Sequence, residues 1–165
     1  MLTNALVNNV AFKALTIMGL IPVWIVLFML FKPDFSSITL IGILLSIPVM
    51  VIAFFIGYLL SATITALAFW TTRIYSIHEF YFALILLFSG QFVPLPLMPK
   101  LIQDIAQYLP FQLLLYFPIQ LILGKLSTEQ IILGYVMSGV WLAVAVILFN
   151  FVWRNGVKRF SAVGA

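Results

Sequence analysis

Charged residues divide the chain into long apolar intervals. The five longest contain 18, 38, 20, 20 and 24 uncharged residues, and a helix needs about 20 apolar residues to cross a hydrocarbon core. They occupy residues 14–31, 35–72, 80–99, 105–124 and 130–153. This pattern predicts an integral membrane protein built from helices.

Four of the intervals predict membrane spans. The second interval is too long for one upright helix, so we expect a turn at "KPDFSS" followed by a helix that is tilted or bent at Pro48. The last span begins after "LSTEQ", where Ser127 and Gln130 match the S-x-x-Q capping box. The predicted spans are residues 14–31, 38–70, 74–92 and 128–153.

The remaining interval, residues 105–124, is interrupted by prolines and glutamines. An interior proline costs a helix about 3 kcal/mol. Between Pro99 and Pro110, polar residues recur at i, i+3, i+4 and i+7, which predicts a short amphipathic helix at the membrane surface. The following "FQLLLYFPIQLIL" makes about 20 Å of helix, too little to cross and return. Residues 94–123 are therefore predicted to be a re-entrant helical hairpin between the last two spans.

The fold class predicted is thus an all-α membrane protein with four transmembrane helices and one re-entrant element. Cytoplasmic flanks collect Lys and Arg, and placing both termini in the cytoplasm gives five basic residues inside against three outside, where three acids offset them. A five-span arrangement also gives five against three. The prolines, rather than the charges, therefore favour the re-entrant interpretation.

The composition excludes several kinds of chemistry. Hydrophobic residues make up 65% of the chain and charged residues 7%, with no Cys and one His. Disulfides, thiol catalysis and Cys or His metal clusters are excluded, and we predict no catalytic, cofactor or metal site. His78 and Glu79 are the one candidate acid-base pair, but adjacent residues do not share a helix face. The basic residues are scattered, which argues against nucleic-acid binding.

Small residues recur at helical spacing in two of the predicted spans. Ala53, Gly57, Ser61 and Thr65 follow one another at i+4. Such stripes mark helix contact faces, either within the chain or at a dimer or moving interface. The candidate packing residues are Gly57, Ser61, Gly134 and Gly139.

Several segments together resemble the C-terminal portion of an ABC-2 type transporter permease. They are "ALAFW", "SGQFVPLPLMPKLIQDIAQYLPF", "LLYFPIQLILGKLS" and the tail "VWRNGVKRFSAVGA". More narrowly, the chain resembles the subfamily with an aromatic-small-Ala-Val-Gly-Gly tail, although its last residue is Ala165. The resemblance covers essentially the whole chain.

This resemblance implies the membrane-spanning subunit of an exporter, located in the inner (plasma) membrane with cytoplasmic termini. Family members have six spans, and the chain corresponds to the last four. The implied partners are a separate ABC ATPase subunit, a second copy or related permease, and the lipid bilayer. The surfaces corresponding to the first two spans are missing, so we expect only weak association of these residues alone with the ATPase. The substrate is not specified, and the alternative is a membrane module that assembles with other subunits without transporting.

The resemblance also assigns candidate site residues to two regions. The re-entrant element, near the exit of the route, carries Gly90, Pro94, Pro99, Gln103, Pro110, Pro118 and Gly124. The cytoplasmic loop and tail carry Trp70, Arg73, Arg154, Arg159, Val163 and Gly164.

Overall fold

The computed structural model describes residues 2–32 and 35–163, and helices account for most of this part of the chain. No strand occurs among these residues, which confirms the prediction of an all-helical protein. Helices at Lys13–Phe31, Leu40–Phe69 and Thr128–Arg159 are long and apolar enough to cross a membrane. The chain divides into two compact units, one up to Ser36 and one from Ser37 onward.

The first unit consists mainly of one helix, α1 (Leu2–Phe31), which contains Pro22 without ending there. Every side chain that is described between residues 11 and 31 is exposed. After α1 the backbone turns at Lys32, whose φ is 41°. The ring of Phe35 then stacks on Phe28 with centroids 6.0 Å apart. The described part of α1 therefore buries none of its apolar side chains.

The second unit begins with α2 (Leu40–Ala66), which is capped by a side chain and has one buried face. Thr39 Oγ1 accepts a hydrogen bond from the Gly42 N–H at 3.1 Å, which satisfies one of the orphan donors at the start of a helix. Pro48 lies inside the helix. As far as Ile56 the buried positions are spaced alternately four and three residues apart, as in a helix that packs along one stripe. They are Gly42, Ser46, Val49, Ala53 and Ile56, and Ala66 is buried at the last position of the helix.

The next helix, α3 (Ile74–Phe88), runs antiparallel to α2. The Tyr81 hydroxyl lies 3.5 Å from the Gly57 carbonyl oxygen. At 15 residues, α3 is about 22 Å long, shorter than the predicted span 74–92 and below the usual minimum for crossing. The helix ends because Gly90 adopts a φ of 79°, which turns the chain.

A 3-10 turn at Leu95–Leu97 and three short α-helices follow, and a proline directly precedes each of the first two α-helices. Pro99 directly precedes α4 (Lys100–Ala106), and Pro110 directly precedes α5 (Phe111–Leu114). The short helix predicted between these two prolines is confirmed. On its apolar face Leu101 and Ile105 are exposed and Ile102 is half-buried.

The apolar run after Pro110 is split rather than continuous. Its second part, α6 (Tyr116–Ile122), starts after a break at Leu115, where φ is −138° and ψ −55°. Pro118 explains the break, because its ring would clash with the carbonyl of the residue four positions earlier in an unbroken helix. In the first turn of α6 the missing N–H costs nothing, since those donors have no helical partner.

The last helix, α7 (Thr128–Val163), begins with the predicted capping box. The Ser127 N–H donates to Gln130 Oε1 at 2.9 Å, and the Gln130 N–H donates to Ser127 Oγ at 3.3 Å. α7 runs parallel to α2. Near their starts the Tyr135 hydroxyl donates to the carbonyl of Leu45, and near the end of α2 the rings of Phe69 and Trp153 lie 5.8 Å apart.

Candidate functional site: the proline-rich element

The core of the second unit lies where residues 94–123, called here the proline-rich element, meet α2 and α7. Val49 of α2 is fully buried together with three side chains of the element, Leu113, Phe117 and Leu121. Around them pack the α7 side chains of Ile131, Tyr135, Met137 and Trp141. The element is thus an integral part of the packing and not a loose connection.

Two glycines give the element its position along α2. A Cβ added to Gly42 would lie 2.6 Å from the Leu121 carbonyl oxygen, so only glycine allows this approach. Further along α2, Leu114 Cδ2 lies 3.7 Å from the corresponding point at Gly57. These glycines are 15 residues apart, about 22 Å of helix. The element therefore follows the N-terminal half of α2.

The element ends at the same end of the unit where α2 begins. Gly124 has a φ of 62°, and a Cβ there would lie 2.8 Å from the Ser37 carbonyl oxygen. A side chain would be excluded by both the backbone conformation and the neighbouring backbone. The chain segments that lead into α2 and α7 consequently lie side by side.

On the other side, α7 receives the element through an aromatic ring and a hydrogen bond. The ring of Phe117 occupies the space where a side chain on Gly134 would lie, and it meets Tyr135 edge-on at 6.3 Å. Trp141 Nε1 donates to the Tyr108 carbonyl at 3.1 Å. Sequence reasoning singled out Gly134 as a packing residue but missed its partner Phe117 and the role of Trp141.

Glutamine side chains satisfy backbone carbonyls within the element. Gln103 Nε2 donates to the Met98 carbonyl at 2.7 Å and to the Pro96 carbonyl at 3.3 Å. Gln112 Nε2 donates to the Gln107 carbonyl at 2.9 Å. Prolines remove backbone N–H donors. The glutamine amides stabilise these turns because they donate to backbone carbonyls that would otherwise lack a hydrogen-bond donor.

The middle of the element packs against the C-terminal end of α3. Ser89 is buried, and a Cβ on Gly90 would lie 3.4 Å from the Tyr116 ring. The Phe111 ring stacks on Phe88 at 6.3 Å. Among the remaining candidate prolines, Pro94 and Pro99 are exposed, whereas Pro110 and Pro118 are buried.

The candidate residues of the loop and tail that were predicted to be cytoplasmic lie at the opposite end of α2. Trp70 follows a 3-10 turn at Leu67–Phe69, and the Arg73 N–H donates to Thr71 Oγ1. Arg154 and Arg159 are exposed on α7, Val163 is its last residue, and Gly164 lies outside the described residues.

A close contact that sequence reasoning missed joins α2 and α7 at this end. The ring of Phe69 occupies the space where a side chain on Gly156 would lie. The G in "RNG" was the available signal, because a glycine inside a helix often marks a close approach.

The small-residue stripe of α2 lines two grooves. One groove, of about 530 Å³, lies between α2 and α5–α6 and includes Gly57 and Ser61. The other, of about 580 Å³, lies toward the end of α2 and includes Ser61 and Thr65. Gly139, on α7, has no described atom within 4 Å of the point that a Cβ would occupy.

His78 makes a structural hydrogen bond and not a pair with Glu79. Thr65 Oγ1 lies 3.0 Å from the Ser61 carbonyl oxygen and shares a hydrogen bond of 3.1 Å with His78 Nε2. Glu79 is exposed. Within the described residues no group of three or more metal-binding side chains occurs.

All these features define a helical membrane protein in which a proline-rich element packs between parallel helices. A family model described as "ABC-2 family transporter protein" matches residues 2–164, and the chain belongs to this family. It is therefore a membrane-embedded transport component of the permease type. No curated protein and no solved structure matches the chain significantly.

Proposed function

We propose that the chain supplies the last four membrane spans of an exporter permease whose transport is driven by a separate ATPase subunit. Family membership supports the permease role. The spans are α1, α2, α3 with the residues up to 92, and α7. A second permease copy completes the pathway across the inner membrane, and the proline-rich element shapes its exit.

The observation that carries this proposal is the course of the proline-rich element. It follows the N-terminal half of α2 and returns to the start of that helix, where Gly124 meets Ser37. A segment that crossed the membrane would leave at the opposite end of α2, where Phe69 meets Trp153. A re-entrant path accounts for this geometry.

The charges and the helix directions agree on an orientation. α2 and α7 run parallel, so the segments that lead into them share one side, which carries Lys100 and Lys125 in the proposed topology. The other side carries Arg73, Arg154, Lys158 and Arg159, the excess expected of a cytoplasmic face. The ATPase subunit binds on that cytoplasmic side.

Cysteine labelling tests the topology directly, since the chain has no native Cys. Lys100→Cys and Lys125→Cys are treated in intact cells with a membrane-impermeant maleimide, with Arg73→Cys as the matched cytoplasmic control. We expect both lysine positions to react from outside and position 73 to react only after permeabilisation. Reaction of positions 100 and 125 from opposite sides would mean that the interval between them crosses the membrane.

A further inference from the structure

A cavity of about 360 Å³ lies between the proline-rich element and the first turns of α7. Its volume falls in the range of small-ligand sites, roughly 300–1,000 Å³. The floor is apolar and includes Leu113, Phe117 and Met137. The rim is polar, with Gln107, Gln112, Gln130, Tyr108 and Tyr116 among its residues. We call it the glutamine-rimmed cavity.

The rim offers hydrogen-bond donors and acceptors of fixed type. Gln112 uses its NH2 group on the Gln107 carbonyl, so its Oε1 is the part that can accept from a ligand. Gln130 uses Oε1 in the capping box, so its NH2 group is the part that can donate. Local structure thus holds both amides in one orientation before any ligand binds, which lowers the entropic cost of recognition.

The lining contains no Asp, Glu, Lys, Arg or His. Burying a charged group against this apolar floor would be costly because nothing in the lining could pair with it. Hydroxyl groups, by contrast, both donate and accept, and so match the amides of the rim. The lining therefore selects for a ligand that is uncharged at its polar end.

From these observations we propose that the glutamine-rimmed cavity binds an uncharged, hydroxyl-bearing amphiphile, such as an alkyl glycoside or a lipid with a sugar head. The apolar body lies on the floor around Phe117, and the hydroxyls bond to Gln112 and Gln130. Every lining residue named above comes from this chain, so binding can be measured without ATPase or transport.

Trp141 is a natural reporter for the cavity, because its indole bonds to the carbonyl of Tyr108, a rim residue. In the 165-residue chain with Trp24, Trp70 and Trp153 replaced by Phe, a brominated alkyl glucoside quenches Trp141 when it binds nearby. The protein is held in phosphatidylcholine nanodiscs. A brominated alkyl phosphocholine of equal chain length measures partitioning into the bilayer. A second chain that retains only Trp24, which is exposed on α1, reports the same background.

The glucoside is expected to quench Trp141 saturably, while the phosphocholine quenches Trp141 and Trp24 equally and without saturation. Equal quenching of Trp141 by the two probes, or competition by glucose alone, would overturn the proposal of an uncharged amphiphile.

Substitutions then test whether the glutamines of the rim bind the glucoside. Gln107→Met with Gln112→Met should weaken glucoside binding about tenfold through the loss of amide hydrogen bonds. Gln120→Met, in α6 but outside the cavity lining, should leave it unchanged. A double variant that binds as tightly as the parent contradicts recognition by the rim.

A second pair of variants separates the amide of Gln130 from its capping role. Gln130→Ala removes the NH2 donor and one capping bond, whereas Ser127→Ala weakens the same capping box from the other side and keeps the amide. We expect weaker glucoside binding only in Gln130→Ala. An equal loss in both would attribute the effect to the helix cap and reject the site.

Discussion

The helices α1 and α2 are alike in sequence character and opposite in their packing. They have 30 and 27 residues, and each contains a proline in its interior. Both are apolar enough to span a membrane. None of the residues in the most apolar stretch of α1 is buried, whereas 28% of the residues in the corresponding stretch of α2 are buried. The difference lies in the small residues on the buried face of α2, such as Gly42, Ser46 and Ala53. Apolar character specifies insertion, whereas small residues specify which helices approach each other.

The strongest test of this comparison uses one isoleucine from each helix. Ile56→Ala in α2 should lower the free energy of unfolding by about 3 kcal/mol, because it opens a cavity at a fully buried position. Ile25→Ala in α1, where the side chain is 51% exposed, should change it by less than about 0.5 kcal/mol. Denaturant titration of both variants in the same detergent measures the contrast. Similar losses would show that α1 also depends on packing.

Glycines give a second test, in which the two helices should respond with opposite signs. Gly42→Ala should destabilise by about 2 kcal/mol, since the new Cβ meets the Leu121 carbonyl, which is backbone and cannot rotate away. Gly19→Ala in α1 meets no described atom within 4 Å and should stabilise by about 0.5 kcal/mol through helix propensity. The same titration reports both. A stabilising Gly42→Ala would mean that the element is not held against α2 as described.

The smallest effect concerns the hydrogen bond that joins α2 to α7. Tyr135→Phe removes the donor to the Leu45 carbonyl and should cost about 1 kcal/mol. Tyr75→Phe, at a side chain that is 79% exposed, is the matched control and should cost nothing measurable. Thermal unfolding followed by circular dichroism is sufficient. An equal change in stability in the two variants would mean that the hydrogen bond from Tyr135 to Leu45 does not stabilise the pairing of α2 and α7.

The sequence predicted the features that depend on local chemistry. The capping box at Ser127 and the helix between Pro99 and Pro110 follow from hydrogen-bond and backbone rules that act over a few residues. The break at Leu115 was also available in principle, because Pro118 lies four positions after Leu114. Residues 111–123 were instead predicted to form one helix of about 20 Å.

The features that depend on distant partners could not be predicted in the same way. Nothing in the sequence around Gly134 indicates that Phe117 fills the space above it, and the parallel pairing of α2 with α7 depends on contacts between residues 84 to 90 positions apart, such as Phe69 with Trp153 and Leu45 with Tyr135. The choice among apolar partners depends on shape, and one-dimensional patterns contain little of that information. The sequence identified the proline-rich element as the candidate segment, but not the surfaces of α2 and α7 against which it packs.

The parallel course of α2 and α7 also has an electrostatic consequence. Each helix carries a macrodipole equivalent to roughly half an elementary charge at either end, and the positive ends of these two helices coincide where residues 37 and 124 meet. Glu129, in the first turn of α7, complements this potential. At the other end the negative poles are staggered, because α7 continues for ten residues beyond Trp153, about 15 Å past the level where α2 finishes. The field along the helix pair is therefore concentrated at the end that the proline-rich element approaches and diffuse at the other.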